Sequence, residues 1–414
     1  MSDQSQETIA SRFVRLNQLL LGKSSYNIPK KYLLHRDGLL DALCAFYEEC
    51  NVDYLRKDKH IANFVDKFKG VMIELKSLRV NLKDFEVKKI IGRGHFGEVQ
   101  VVREKATGDV YAMKVLRKQE TLSQQNVAFY EEERDIMAKS TSPWLTKLQY
   151  AFQDNQNLYL IMEFHPGGDM LSLLEKYDNV LPEEMCQFYL AELVLAIHSL
   201  HTMGYVHRDV KPDNILIDRT GHIKLADFGS ASKLNPHKQV ISSMPVGTPD
   251  YVAPEVLTAM NAGPSNSKSY GVECDWWSLG IVTYEMVFGC TPFASEKVLV
   301  TYNNIMNFKN SLNFPPEESE VSEMLIDLIK NLLQEASVRF GYDQLIVHPL
   351  FIDIDWNNIR HTAPPFVPNV SSVDDTSNFD DFEPENRPCI ADLKSKKEFS
   401  GKNLPFIGFT YTSP

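Results

Sequence analysis

The spacing of apolar and polar residues changes along the chain and divides it into parts with different predicted structure. Between residues 37 and 83, apolar side chains recur three and four positions apart, which is the period of amphipathic helices. They are Leu39, Leu40, Leu43, Phe46 and Tyr47 in a first run and Ile61, Phe64, Val65 and Phe68 in a second. Loop-type residues interrupt the pattern only around Asn51, so we predict a mostly helical segment.

From Phe85 the period shortens to two, which indicates strands. The segment FEVKKIIGRGHFGEVQVVREKATGDVYAMKVL predicts a strand, a glycine turn, a second strand, a hairpin over 107–109 and a third strand. After Asp154 helical periods return, most clearly over 182–203 and 274–290. A β-rich part followed by an α-rich part predicts two lobes with a cleft between them.

The last stretch, from about 355 to 414, is rich in Pro, Asn, Ser and Asp and contains isolated aromatic residues. Such a composition cannot build a core of its own. The aromatic side chains therefore predict an extended tail that docks on another part of the molecule.

Composition limits the class of protein. The chain has 414 residues, 43% of them hydrophobic, which is enough for one large core or two smaller ones. Its 43 Lys and Arg against 55 Asp and Glu give a net charge of −12, which disfavours nucleic-acid binding and suits basic partners. The polar N-terminus and the lack of a run of about 20 apolar residues predict a soluble intracellular protein without a membrane span. The six cysteines are scattered, which favours reduced thiols over disulfides or zinc.

Gly92, Gly94 and Gly97 form a GxGxxG motif that permits several interpretations. Dinucleotide-binding domains place this motif between a strand and a helix, whereas the residues after Gly97 continue as a strand, so a hairpin loop is favoured. Glycines at such a tip let backbone N–H groups approach phosphates closely. A purely structural turn is the alternative that the motif alone leaves open.

Lys114 lies on the next predicted strand, within YAMKV. A lysine at an inward strand position costs desolvation unless it meets an anion. Glu133, in the predicted helix YEEERDIM, is a candidate partner. An ordinary surface lysine is the alternative.

The polar residues of HRDVKPDN carry the strongest chemical signal. Asp209 is suited to accept the proton of an attacking hydroxyl, Lys211 to neutralise a transferred phosphoryl group and Asn214 to bind a metal ion. In the DFG motif that follows, the carboxylate of Asp227 is suited to chelate Mg²⁺ that bridges phosphates. Together with the glycine loop, the strand lysine and an APE motif at 253–255, these motifs have the order and spacing of the protein kinase signatures.

Residues 85–351 resemble the eukaryotic protein kinase domain throughout. This resemblance implies an α+β, bilobal fold with a β-rich N-lobe over 85–163 and an α-rich C-lobe over 164–351. The tail, with FIGFTY at 406–411, is similar to that of the AGC group of Ser/Thr kinases. The segments PGGDMLSLL, GTPDYVAPEVL, CDWWSLG and DDTSNFD are similar to the branch of Rho kinases, myotonic dystrophy kinases and citron kinases, with most resemblance to the citron kinases. The remaining predicted divisions are a flexible segment over 1–36, a helical dimerisation extension over 37–83 and an AGC C-terminal domain over 352–414 with turn-like and hydrophobic motifs.

The resemblance implies that ATP is bound between the lobes with Mg²⁺ as cofactor. The backbone of Glu163 and His165 would bond the adenine edge, and Met162 would be the gatekeeper. The residues that the family assigns to ATP binding are Ile91, Gly92, Gly94, Gly97, Val99, Ala112, Lys114, Met162, Glu163, His165, Asp169 and Leu216. Several of the apolar positions among them are equally compatible with ordinary core residues.

The resemblance also assigns catalytic and supporting roles. Lys114 would hold the α- and β-phosphates, oriented by Glu133, and Asp209 and Lys211 would act in transfer. Asn214 and Asp227 would be the metal ligands. The family further implies a structural ion pair between Glu255 and Arg339 and a hydrogen bond from Asp275 to the backbone of the catalytic loop.

Three carboxylates, Asp169, Asp213 and Glu285, match positions that contact basic side chains of substrates in related kinases. Together with the acidic net charge they predict basic residues N-terminal to the target Ser or Thr. Solvated surface carboxylates or local caps are the alternative. In the tail, Thr410 and Thr376 are the candidate phosphosites, although the acidic neighbours of Thr376 fit a plain solvated turn equally well.

One departure from the AGC pattern affects activation. A phosphorylated Thr usually stands three residues before the glycine of GTP, where it pairs with the arginine of HRD, whereas this chain has Met244. We therefore expect activity without activation-loop phosphorylation, with the segment held by packing or by dimerisation. Ser242 and Ser243 are potential substitutes, but plain loop serines are favoured.

The sequence favours a Mg·ATP-dependent Ser/Thr kinase over a pseudokinase scaffold, because none of the catalytic residues is missing. By resemblance we expect a cytoplasmic homodimer acting in cytokinesis and actomyosin regulation, near the cytoskeleton or the cleavage furrow. Myosin regulatory light chain is a plausible substrate on the same ground. A link to Rho-type GTPases would run through regions outside this chain, since the relatives carry a coiled coil and regulatory domains beyond the kinase tail. A Rho-kinase or myotonic-dystrophy-kinase type is the alternative within the branch.

Overall fold

The computed structural model of this protein describes residues 36–94, 97–123, 127–242, 244–262, 268–315, 321–382 and 401–412. Apart from its last residue, the predicted flexible segment 1–36 lies outside the described residues. None of the helices in these ranges is long and apolar enough to cross a membrane.

The N-terminal extension is a pair of helices, α1 (Arg36–Cys50) and α2 (Lys59–Leu78). The intervening residues include only a short 3₁₀ turn, which confirms the predicted break near Asn51. Asp58 begins α2, because its carboxylate accepts the N–H groups of His60 and Ile61, two of the donors that a helix start leaves unpaired. The two helices bury a small core of Tyr47, Cys50, Val65 and Met72.

The N-lobe is a six-stranded antiparallel sheet in the order β1-β2-β3-β5-β4-β12. Its strands are β1 (Phe85–Gly94), β2 (Gly97–Glu104), β3 (Val110–Arg117), β4 (Leu148–Gln153), β5 (Asn157–Glu163) and, from the tail, β12 (Tyr411–Thr412). The period of two and the hairpin at 107–109 are confirmed. Between β3 and β4 the chain forms α3 (Lys118–Ser123) and α4 (Val127–Lys139), and α4 carries Glu133.

The C-lobe is mostly helical. Its helices are α5 (Met170–Lys176), α6 (Glu183–Thr202), α7 (Pro254–Asn261), α8 (Glu273–Phe288), α9 (Val298–Met306), α10 (Phe308–Ser311), α11 (Glu323–Leu332) and α12 (Tyr342–Leu345). Three short antiparallel pairs join them: β6 (Tyr205–Val206) with β9 (Ser232–Lys233), β7 (Ile215–Ile217) with β8 (Ile223–Leu225), and β10 (Val240–Ile241) with β11 (Ser269–Tyr270). Helix α8 is buried along nearly its whole length, which explains its almost continuous apolar sequence. The predicted helices at 182–203 and 274–290 are confirmed to within two residues.

The end of the tail docks on the N-lobe, as predicted. Phe406 and Phe409 are both buried, and the ring of Tyr130 on α4 packs against each of them at centroid distances of 5.4 and 5.7 Å. Arg134, one helical turn further, donates to the carbonyl of Gly408. The tail is thus fixed to the helix that carries Glu133.

Thr410 lies beside this groove with its hydroxyl already engaged. The hydroxyl donates to Asp41 Oδ1 at 2.7 Å and accepts from the guanidinium of Arg79 at 2.8 Å. Asp41, on α1, is buried and also accepts the N–H groups of Gly408 and Thr410. Asp41 and Arg79 thus hold the unmodified hydroxyl, and a phosphate there would meet the repulsion of Asp41 and the attraction of Arg79. That Thr410 is a phosphosite stays a prediction.

We predict that replacing both phenylalanines by alanine (Phe406→Ala with Phe409→Ala) releases the tail from α4. Each truncation of a buried phenylalanine costs about 3–5 kcal/mol of packing in a core. We expect kcat/KM for phosphoryl transfer to fall at least about tenfold, because the position of the helix carrying Glu133 is no longer fixed. The measurement is steady-state kinetics, with circular dichroism to verify that the fold is retained.

The matched control is Leu404→Ala, which truncates an exposed leucine in the same turn of the tail. Unchanged kinetics in the double variant would reject coupling through the tail and leave only burial in a surface patch.

Candidate active site

The glycine motif forms the tip of the β1–β2 hairpin, which confirms the hairpin and rules out the strand-to-helix arrangement of dinucleotide-binding domains. Gly97 begins β2 with φ at +152°, and a Cβ there would lie 1.7 Å from the carbonyl oxygen of Val115. This position therefore requires glycine. The two tip residues 95 and 96 lie outside the described residues.

The predicted partnership of Lys114 and Glu133 is confirmed. The ammonium of Lys114, on β3, lies 2.7 Å from Glu133 Oε1 and 2.7 Å from Asp227 Oδ1. Burial disfavours the charged lysine, but the two carboxylates outweigh it and raise the pKa of Lys114. Lys114 in turn lowers the pKa of Asp227 to about 2, whereas burial raises the pKa of Glu133. One ammonium thus joins a strand, a helix and the DFG segment.

The catalytic-loop residues converge on Asp209. Its Oδ1 accepts both the N–H and the hydroxyl of Thr248, at 2.9 and 2.7 Å. Asn214 donates to the backbone carbonyl of Asp209 at 2.8 Å, and Lys211 Nζ lies 3.9 Å from Asp209 Oδ2. The carboxylate is therefore held in one orientation beside an ammonium group.

Asp275 on α8 holds the backbone of the catalytic loop by hydrogen bonds, as the family resemblance implied. The carboxylate of Asp275 is fully buried and accepts the N–H groups of His207 and Arg208, both at 2.8 Å. Arg208 has φ at +68°, a conformation that non-glycine residues rarely adopt, so these bonds hold a strained backbone. The predicted ion pair of Glu255 with Arg339 is also present, with two contacts between the guanidinium and the carboxylate.

Arg208 makes neutral contacts at the place where the AGC pattern has a phosphate. Its Nε donates to the carbonyl of Ser230 at 2.6 Å and its Nη1 to the hydroxyl of Tyr270 at 3.1 Å. Tyr270 is buried on β11, which pairs with β10 of the activation segment. The activation segment is thus tied by backbone hydrogen bonds to the strand that provides a partner for Arg208. Ser243 lies outside the described residues.

The residues assigned to adenine line the N-lobe sheet and one C-lobe strand. Across the sheet, Ala112 lies opposite Met162, and Val99 lies opposite Lys114. From the C-lobe, Leu216 on β7 forms a bridge with Asp169. Asp169 also caps α5, since its Oδ1 accepts the N–H of Ser172 at 2.8 Å. Of the remaining assigned residues, Ile91, Gly92 and Gly94 lie on β1, and Glu163 and His165 lie where β5 ends and the C-lobe begins.

An acidic group surrounds Tyr251, next to the Asp209 loop. Glu285 accepts the hydroxyl of Tyr251 at 2.6 Å, and burial together with the charges of Asp213 and Asp250 raises the pKa of Glu285. Burial also raises the pKa of Asp250. The sequence alone did not identify Asp250 as a member of this acidic group. Asp213 thus lies near Glu285, and it is also close enough to Asp169 that burial together with the charge of Asp213 raises the pKa of Asp169, which caps α5.

The donor set fits Mg²⁺ bound together with phosphates. Asp227 and Asn214 offer a carboxylate and an amide, and Mg²⁺ prefers oxygen ligands from few protein groups plus phosphate and water. The conformation of Asp227 is left-handed, with φ at +54°, and is supported by the N–H of Gly229 at 3.3 Å. Among the described residues, no group of three or more His, Cys, Asp or Glu forms an all-protein metal site.

Sequence reasoning missed Thr248 and Tyr270 besides Asp250. The GTPDY and SYG motifs contain these residues, but their spacing from Asp209 and Arg208 gives no sign of contact. The contacts arise because the activation segment folds back over the catalytic loop.

Comparisons with known proteins agree with this geometry. Residues 85–351 match the family model of the protein kinase domain, and residues 370–411 match that of the protein kinase C terminal domain. The human Citron Rho-interacting kinase is 54% identical over 410 residues, 98% of this chain and 20% of the relative. The Caenorhabditis elegans Serine/threonine-protein kinase mrck-1 is 49% identical over 393 residues, 92% of this chain and 24% of the relative. The human Serine/threonine-protein kinase MRCK gamma is 49% identical over 381 residues. The chain therefore spans a fifth to a quarter of the length of these relatives.

We predict that phosphoryl transfer does not depend on activation-loop phosphorylation but does depend on Tyr270. Treatment with a phosphatase should leave kcat unchanged to within about twofold, whereas Tyr270→Phe should lower it about tenfold because Arg208 loses a buried acceptor. The control Tyr342→Phe removes a hydroxyl elsewhere in the C-lobe. Loss of activity after dephosphorylation, or normal activity of Tyr270→Phe, would contradict the prediction.

Proposed function

Because this chain belongs to the protein kinase family, in its serine/threonine class with an AGC-type tail, we propose that it transfers the γ-phosphoryl group of ATP to Ser and Thr hydroxyls of proteins. The proposal rests on the contacts of three residues. Lys114 is paired with Glu133 and Asp227, and the carboxylate of Asp209 is held in place by Thr248.

In this reaction, the substrate hydroxyl attacks the γ-phosphorus in line, a new O–P bond forms, and the bond to the bridging oxygen of ADP breaks. Asp209 orients the hydroxyl and receives its proton, and Thr248 keeps the carboxylate in place. Lys211, 3.9 Å from Asp209, offsets the negative charge of the transferred group. Lys114 binds the α- and β-phosphates. Asp227 and Asn214 would hold Mg²⁺, which would neutralise charge on the phosphates.

A pseudokinase scaffold is the competing function. Such proteins typically lack the strand lysine, the catalytic aspartate or the metal aspartate, and this chain has all three. The contacts of Lys114 with Glu133 and Asp227 also favour a catalytic over a purely structural role, because two carboxylates around one ammonium orient it for phosphates.

For the substrate, we propose a basic segment N-terminal to the target residue. The acidic group of Asp213, Asp250 and Glu285 supports this, because a cationic side chain would offset the repulsion that raises the pKa of Glu285. The net charge of −12 acts in the same direction over longer distances.

The finer biological assignment rests on the relatives. The 54% identity to Citron Rho-interacting kinase supports kinship with the citron kinases. On the resemblance to that branch we propose a cytoplasmic role in cytokinesis and actomyosin regulation, with myosin regulatory light chain as a candidate substrate. The 49% identity to the MRCK relatives keeps a related cytoskeletal kinase as the alternative. A link to Rho-type GTPases would require regions outside this chain.

We also propose a homodimer through the N-terminal extension. Apolar side chains on its two helices remain exposed after the small core has formed, among them Phe46 at 50%, Val71 at 54% and Ile73 at 62%. Large apolar side chains left exposed on a short helical extension are costly in water, and interaction surfaces are enriched in them. Because α1 also holds the tail through Asp41, a dimer contact on this extension would stabilise the docked tail.

The kinase activity predicts that Asp227→Ala abolishes transfer. In the presence of Mg²⁺, the parent should transfer radiolabelled γ-phosphate from ATP to a basic Ser peptide. The variant should be at least about a hundredfold slower, because it lacks the carboxylate that would bind the metal ion and that pairs with Lys114. Asp353→Ala, an exposed carboxylate in the C-lobe, is the control. Equal rates in parent and Asp227→Ala would assign the activity to a contaminant.

The proposed substrate preference predicts that replacing Arg by Glu upstream of the target Ser raises KM about tenfold or more, with kcat less affected. Glu285→Gln should reduce the difference between the two peptides, because it removes one of the charges that attract the arginine. Equal KM values for the two peptides would reject the acidic group as a substrate contact.

The proposed dimer predicts a solution mass of twice the chain mass for the parent. Phe46→Asp combined with Ile73→Asp should give a monomer, because two charges would be buried in the contact. Val347→Asp places the same charge on an exposed apolar position of the C-lobe and should leave the dimer intact. A monomeric parent in light scattering would reject the proposal.

A further inference from the structure

The side chains of a polar cluster at the segment linking the two lobes have no part in the reaction described above. We call it the hinge cluster and define it as Thr146, Lys147, Glu163, His165 and Lys224. Glu163 ends β5, and Lys224 is the central residue of β8. The backbone already brings these segments together, since Thr146 donates to the carbonyl of Leu225 at 3.0 Å and Glu163 donates to that of Lys147 at 3.0 Å.

The side chain of Glu163 is the centre of the cluster. Its Oε2 lies 3.2 Å from the ammonium of Lys224 and 3.4 Å from the N–H of Lys147. The side chain of Lys224 is 10% exposed, compared with 38% for Glu163. Burial lowers the pKa of Lys224, and the charge of Glu163 opposes this effect. A lysine in such surroundings needs its anionic partner, so the contact constrains Glu163 more than a surface ion pair would.

His165 adds a second contact two residues further along the chain. The imidazole is buried, and its Nε2 lies 3.3 Å from the hydroxyl of Thr146. Burial lowers the pKa of His165 to about 4, so the ring is neutral under ordinary assay conditions. The peptide groups from Glu163 to His165 are therefore held at both ends by side chains of the same cluster.

The first part of the tail holds β8 itself. Arg360 donates to the carbonyl of Ile223, next to Lys224, at 3.1 Å. Its guanidinium also contacts Asp218 and lies 5.0 Å over the ring of Trp144. The strand that carries Lys224 is thus fixed to the tail on one side and to Leu145 on the other.

We propose that Lys224 is a positioning residue for the nucleotide: through Glu163 it holds the peptide groups of residues 163–165 in the arrangement that receives adenine. The inference rests on the proposed binding of ATP by the backbone of Glu163 and His165. A link that is ordered before the ligand arrives loses less conformational entropy on binding, so the contact strengthens ATP and ADP binding alike. The contact of Lys224 with Glu163 supports the bound nucleotide equally in the ground state and in the transition state. It therefore lowers KM for ATP and leaves kcat unchanged.

The test compares Lys224→Gln, Lys224→Arg and the control Lys147→Gln in the full chain. Lys147 contributes its backbone N–H, so the control loses a nearby lysine and keeps the contact. Titration with Mg·ATP and Mg·ADP should give Kd values raised about threefold to tenfold for Lys224→Gln, the range of one typical lost hydrogen bond. Lys224→Arg and Lys147→Gln should stay within about twofold of the parent, and kcat at saturating ATP should not change.

Parent-like Kd values for Lys224→Gln, or a raised Kd that Lys224→Arg does not restore, would overturn the inference. A fall in kcat with unchanged KM would also overturn it, because it would indicate general damage to the site. A parent that binds Mg·ATP but transfers no phosphate would instead overturn the proposed function, and the comparison of Kd values would still decide the role of Lys224.

Discussion

The contact of Lys114 with Glu133 and Asp227 is the interaction on which the other parts of the site depend. A buried ammonium is costly unless anions compensate it, and here the two carboxylates come from α4 and from the DFG segment. The contact can form only when the N-lobe sheet, α4 and the metal-binding segment are all in place. The lysine that is proposed to bind the phosphates is therefore correctly paired only when both lobes have assembled.

The position of α4 is set from outside the kinase domain as well. Tyr130 and Arg134, on either side of Glu133, bind the end of the tail. The tail is in turn held by Asp41 of the N-terminal extension. Two segments at opposite ends of the sequence thus stabilise the same helix.

Neutral groups of the chain contact Arg208 at the place where the AGC pattern has a phosphate, and a carboxylate binds the end of the tail beside the candidate phosphosite Thr410. Arg208 is paired with carbonyls and with Tyr270, and the backbone of the docked tail is bound by Asp41. Such contacts are present whenever the chain is folded, whereas a phosphate must be added and can be removed.

The sequence by itself indicated the helical extension, the first three strands, the two lobes and the candidate pairing of Lys114 with Glu133, because period, turn residues and motif spacing are local properties, but it missed β5, which follows Asp154. It also indicated, from the isolated aromatic residues, that the tail docks on another part of the molecule. Only the tertiary structure decided that Thr248 holds Asp209, that Tyr270 binds Arg208 and that Asp41 occupies the place beside Thr410. These pairs are separated by 39, 62 and 369 residues, and their contacts arise from the path of the folded chain. No local pattern records such contacts, because each side chain is compatible with an ordinary loop or helix until the fold brings its partner to it.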